Sequence, residues 1–190
     1  MAFDPSALDF LIVPGRGNSR PQHWQSHWLK ELPNSSRVLQ SNWAQPAPAE
    51  WVAKVGAAVR AAARPVALIA HSLATATVVK WAETASEGET AKVAAAFLVA
   101  PTDVENPDPS FDLVRAFAPL PHARLPFPAL VVASRNDPRV SFSRAQEFAE
   151  AWGADLADVG ELGHIGNDAH LGVWAAGLLL LGQLLAKRSP

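Results

Sequence analysis

Cysteine is absent from the chain, and that one absence removes disulfides, thiolate zinc sites, iron–sulfur clusters and every cysteine nucleophile. Charge is sparse too, at 18% of residues, with 16 basic against 18 acidic and no basic block. Nothing is left to track a phosphate backbone, so nucleic acid is not an expected partner. Long apolar runs are also missing. The longest near the end, Val173 to Leu181, falls short of the roughly 20 residues a membrane helix requires. The opening MAFDPSALDF has no cationic leader region, and Pro5 and Asp9 interrupt its apolar residues. Together these features read as a cytoplasmic protein without a membrane partner.

What the chain does have is enough apolar material for a core. With 49% hydrophobic residues and a net charge of −2 over 190 residues, disorder is excluded and one domain spanning 1–190 is expected. The apolar runs Phe10 to Val13, Val66 to Ala70, Val93 to Val99 and Ala129 to Ala133 read as strands buried on both faces. Arg37 to Gln40 is a weaker candidate, and Asp155 to Val159 a shorter one. Between them lie helical patterns: Trp24, Trp28 and Leu32 at every fourth residue with Pro21 near the first turn, then a helix opened by Pro48, one running through ATATVVKWAE, one through Trp152, and one after Gly172. Ser143 with Gln146 resembles a capping box for the fourth. Alternation of this kind predicts a mostly parallel doubly wound α/β sheet of about six strands, with helices on both faces and loops gathered at the strands' carboxyl ends. From Ala100 to Pro128 the pattern fails. Seven prolines fall there; a loop of that length is usually functional, and covering a site is one role open to it.

The strand-end loops carry the reactive side chains. Ala70-His71-Ser72-Leu73-Ala74 stands between a buried strand and a helix, where a nucleophile elbow holds a serine on a strained turn. Alanine meets the need for small residues two positions either side of the serine; the plain structural alternative is a helix-capping serine. A serine hydroxyl needs a base and an orienting carboxylate. Asp137 follows the fifth strand in SRNDP and His164 follows the sixth in GHIG, giving the order Ser, Asp, His. Taken singly, Asp137 reads as a turn residue and His164 as a surface histidine; their common placement at strand ends favours chemistry. Asp103 and His170 are competitors, and His122 has no nameable partner. Backbone N–H groups of Leu73 and Arg16 are candidates for holding an oxyanion. The turn PGRGN lacks the spacing of a phosphate-binding loop and the lysine of a P-loop. Gly15, Trp24 and His71 are weaker substrate-binding candidates, with His71 read mainly as packing. His23 and His27 have a metal-ligand spacing, but Trp24 stands where a metalloprotease carries glutamate, so a packed helix face is expected and no metal.

Several of these segments together resemble the small serine hydrolases typified by retinoblastoma-binding protein nine and the YdeN-like proteins. The likeness rests on Val13-Pro14-Gly15, His23-Trp24, Trp28-Leu29, Ala70-His71-Ser72-Leu73, Val99-Ala100-Pro101, Asp103-Val104-Glu105, Ala133 to Pro138 and Gly163-His164-Ile165, and it spans nearly the whole chain. It implies a reduced α/β-hydrolase fold with Ser72, Asp137 and His164 in the triad roles. One departure is Ala74 followed by Thr75, where the family usually has glycine two residues after the serine.

The expected activity is hydrolysis of a small ester or amide through an acyl-enzyme, without a cofactor. The proline-rich segment, with Trp24, is expected to form a shallow apolar pocket. Activity should fall below about pH 6.5, the reference histidine value, because the base must be neutral. An acyltransferase would use the same residues. A protein-binding module retaining the fold is the alternative from another class.

Overall fold

The computed structural model describes residues 4–187. Met1 to Phe3, part of the segment lacking a cationic leader, lie outside the described residues. Six strands form one parallel sheet: β1 (Asp9–Val13), β2 (Ser35–Arg37), β3 (Val66–His71), β4 (Val93–Val99), β5 (Ala129–Ala133) and β6 (Asp155–Asp158), in the order β2-β1-β3-β4-β5-β6. Their side chains alternate between two cores, as the period of a strand demands. Leu11, Val13, Leu68, Ala70, Leu98 and Val131 face one core. Phe10, Ile12, Ile69, Phe97, Val99 and Val132 face the other. Both faces are apolar because both are covered.

The helices that cover them are α1 (Trp24–Glu31), α2 (Pro48–Ala61), α3 (Leu73–Thr84), the single-turn α4 (Glu87–Thr90), α5 (Phe142–Trp152) and α6 (Ala175–Ala186). Residues of α2, α3 and α5 fill the first core, and those of α1 and α6 the second. Helix starts follow local chemistry. Pro48 opens α2 at a position where its missing N–H costs nothing. Gly153 closes α5 in the left-handed conformation at φ 62. Among the described residues no helix is long and apolar enough to cross a membrane.

Four expectations need correction. The second strand is Ser35–Arg37, paired with Phe10 to Ile12, and not Arg37 to Gln40. It is a short polar edge strand, and the apolar Val38-Leu39 beyond it drew the reading away; Leu39 is exposed. Pro21 precedes α1 entirely, because His23 turns the chain and its Nδ1 accepts the Gln25 amide. Ser141, not Ser143, caps α5: its hydroxyl accepts the Arg144 amide.

The fourth correction concerns the segment from Ala100 to Pro128. It contains two short 3-10 turns, Pro109–Phe111 and Arg115–Phe117, and its Phe111, Val114, Phe117, Leu120, Leu125 and Phe127 are buried in the first core. Turns of that kind have no long period for a sequence reading to detect. Beyond its start, where Thr102 touches Ser72, the segment is core wall and lines no part of the cavity over Ser72.

Candidate active site

The chain lays β2 on one side of β1 and β3 on the other, so connections leave β1 and β3 in opposite directions and a crevice opens beyond their carboxyl ends. Gly15 follows β1 there and Ser72 follows β3. Ser72 sits at φ 59 and ψ −128, a left-handed conformation that L side chains rarely adopt and that persists only where the surroundings enforce it. They do so closely. The Ser72 amide donates to the Val99 carbonyl at 2.9 Å, and the Thr75 hydroxyl donates to the Ser72 carbonyl at 2.8 Å. A Cβ on Gly15 would lie 2.8 Å from both the His71 carbonyl oxygen and the Ser72 Cβ, so only glycine lets the β1 loop approach the turn. Ala74 is fully buried, so the start of α3 accommodates its methyl.

Three expected side chains meet at this edge. Ser72 Oγ lies 2.7 Å from His164 Nε2, and both Asp137 carboxylate oxygens lie 2.9 Å from His164 Nδ1. The Asp137 side chain is wholly buried, and its Oδ1 also accepts the Arg139 amide at 2.8 Å. The His164 loop is tied to the turn after β5 from below. Leu162 N–H donates to Ser134 Oγ at 2.8 Å, and Gly163 N–H to Asn136 Oδ1 at 2.7 Å. Ser134 and Asn136 were not expected to matter, although their place beside Asp137 in SRNDP is the signal that could have found them.

Behind the imidazole lie two more histidines. His71 Nε2 donates to the His164 carbonyl at 2.9 Å, and its ring centre stands 4.9 Å from that of His23 and 5.1 Å from that of His164. Burial pushes the His23 pKa down to about 4, aided by the charges of Arg37 and His164. Burial likewise holds His71 well below the ordinary histidine value, with His23 and His164 adding to the effect against the bond to the His164 carbonyl. Both rings are therefore neutral near pH 7. Another buried group fixes the strand ends: Gln25 Nε2 donates to the carbonyls of Val13 and Ile69 at 3.2 and 3.0 Å. A glutamine between two tryptophans gave no sequence signal for that role.

The remaining candidates separate cleanly. Leu73 opens α3, so its amide has no acceptor four residues back within the helix. In the β1 loop the amides of Gly17 and Asn18 bond to the Trp43 and Gly15 carbonyls, and the Arg16 amide to neither. A cavity of about 620 Å³ opens over Ser72 and is lined in part by Gly15, Arg16, His71 and His164. Trp24 does not line it: the ring is buried and its Nε1 donates to the Ile165 carbonyl at 2.8 Å. Nor does any residue of 101–128 line it, and the charged Arg20, Glu161 and Asp168 on its wall replace the apolar pocket expected. Asp103 lies 3.6 Å from Arg144 and His170 is exposed, so neither joins the line. Thr102 does touch it, its Oγ1 lying 3.1 Å from Ser72 Oγ, and no sequence pattern pointed there.

Comparison with known proteins bears on the family and the fold. A profile of serine hydrolases matches residues 10–183. A YdeN-like hydrolase from Pectobacterium atrosepticum is 34% identical with a TM-score of 0.83, over 96% of this chain and 93% of that one. The ydeN gene product from B. subtilis shares the fold at 19% identity and a TM-score of 0.74, over 94% and 98% of the two chains. Est1E from Butyrivibrio proteoclasticus shares it at 13% identity and a TM-score of 0.65, over 96% and 90%. No curated protein matches the chain.

Proposed function

The chain belongs to the serine hydrolase family, and from that premise we propose that Ser72 attacks a carboxylic ester or amide, with His164 as the base and Asp137 as its orienting carboxylate. What carries the reading is the continuous line from Asp137 through His164 to Ser72, with contacts of 2.9 and 2.7 Å. The carboxylate against Nδ1 keeps the ring hydrogen there, so Nε2 is free to take the serine proton.

As Ser72 Oγ bonds to the carbonyl carbon, its proton moves to His164 Nε2. The carbonyl oxygen becomes an oxyanion, held by the Leu73 and Arg16 amides. The His164 proton then passes to the departing alcohol or amine, leaving an ester on Ser72. Water, deprotonated by His164, attacks that ester and releases the acid. The cavity's mixed charges favour small polar substrates over long acyl chains.

Turnover of short activated esters tests the proposal. Ser72→Ala and His164→Ala should each lower kcat by about a million-fold while circular dichroism stays unchanged. Folded wild-type protein with no turnover of any short ester or amide, or undiminished turnover in Ser72→Ala, would overturn it.

A further inference from the structure

We propose that the Thr102 hydroxyl is a further catalytic group, acting in the release of Ser72 from its acyl ester; this rests on the reading of Ser72 as the nucleophile. Thr102 stands just past β4, is buried, and reaches Ser72 Oγ at 3.1 Å. Its backbone is held from both sides. The Val104 amide donates to its carbonyl, and the Asp103 amide donates to the Arg139 carbonyl, both at 3.0 Å. Among the described residues its hydroxyl has no other partner.

The direction of the hydrogen bond follows from counting hydrogens. A serine hydroxyl has one. His164 carries its ring hydrogen on Nδ1, facing Asp137, so Nε2 accepts the Ser72 hydrogen at 2.7 Å. The hydrogen between the two hydroxyls must come from Thr102. A β-branched side chain has few rotamers available, so this donor stays aimed at Ser72 Oγ.

An alcohol oxygen accepts a hydrogen bond well, and an oxygen acquiring negative charge accepts one better. The bridging oxygen of an ester accepts poorly, because its lone pair is delocalised into the carbonyl. The Thr102 donor therefore stabilises free Ser72 over acylated Ser72. It does little for attack on the substrate and favours the reverse sense, expulsion of Oγ. In that step water adds to the acyl carbon as its proton moves to His164 Nε2. The carbon–Oγ bond then breaks with its electron pair on Oγ, the His164 proton returns to Oγ, and the carboxylic acid departs. Thr102 keeps its own proton throughout.

Thr102→Val removes the hydroxyl at nearly constant volume. With p-nitrophenyl acetate as the probe, kcat and KM should fall together by roughly three- to tenfold, the size of one neutral hydrogen bond, leaving kcat/KM within about twofold. Intact mass should show acetylated protein accumulating during turnover, and the rate of fluorophosphonate labelling, which reports only the first attack, should not fall. Thr102→Ser should recover most of kcat, and Thr102→Ala, which cannot crowd the turn, should behave as the valine variant does. Labelling and turnover slowing in parallel, or kcat unchanged in both variants, would overturn the proposal. Wild-type protein that takes up no fluorophosphonate would overturn the reading of Ser72 beneath it, and the proposal with it.

Discussion

On one face of the sheet α2, α3, α5 and the segment 101–128 bury Trp51, Phe117, Phe148 and Trp152, whereas on the other α1 and α6 bury Trp24, Trp28 and Trp174. Both faces use large aromatic side chains, and both satisfy indole N–H groups with carbonyls. The difference is whose carbonyls they are. Trp51 donates to Asn42 and Trp152 to Pro121, both in connecting segments away from the cavity. Trp24 donates to Ile165, next to His164, and Trp28 to Val173 on the same stretch of chain. One face stabilises the protein; the other stabilises it and also places the base.

The largest effects should come from emptying each core in turn. Trp24→Ala and Phe117→Ala both remove a fully buried ring and should each cost about 3–5 kcal/mol in urea unfolding. Only Trp24→Ala should also lower kcat per folded molecule, by tenfold or more on the order of one lost positioning contact. An equal fall in Phe117→Ala would erase the distinction between the faces. A finer version keeps an aromatic ring, though a smaller one, and removes the indole N–H. Trp24→Phe and Trp152→Phe each strand one carbonyl, costing about 1–3 kcal/mol, yet the Trp152 variant should retain wild-type kcat in assays matched for folded fraction.

Acid should distinguish the faces next. His23 lies on the α1 side with a pKa near 4, and His71 is displaced in the same direction. Below the unfolded value of about 6.5 the unfolded chain takes up protons that the folded one refuses, so stability falls with pH. The contribution is complete above about 6.5 and is lost as pH falls toward about 4, by up to about 3 kcal/mol for His23. His23→Asn keeps a helix-capping side chain and should flatten that slope; a slope unchanged by the substitution would assign the acid sensitivity elsewhere. The smallest effect should come from Leu113→Ser, on the exposed side of segment 101–128, with stability within about 0.5 kcal/mol and kcat unaltered.

The same contrast explains what the sequence could and could not disclose. VALIA and ALVVA are legible because a strand covered on both faces has to be continuously apolar, and their ends mark where loops collect. Ser72 and Asp137 stand out because each follows such a strand, and His164 because it follows the shorter, partly exposed sixth. The polar edge strand Ser35–Arg37 lacks that signature. Segment 101–128 reads as an irregular cover because 3-10 turns and prolines hide its apolar contacts, and Trp24 reads as a cavity wall because an aromatic ring looks the same in sequence whether it meets ligand or backbone. Thr102 is invisible: its role depends on β4 ending level with β3, as the pairing of His71 with Val99 sets it.

The central claim is that Ser72 is a nucleophile activated by His164. Peptide mapping by mass spectrometry after fluorophosphonate treatment addresses it most directly, with wild type, Ser72→Ala and His164→Ala compared at equal folded concentration. One adduct is expected, on the peptide bearing Ser72, missing from Ser72→Ala and formed far more slowly in His164→Ala. An adduct on another residue, or folded wild-type protein that stays unlabelled, would contradict it.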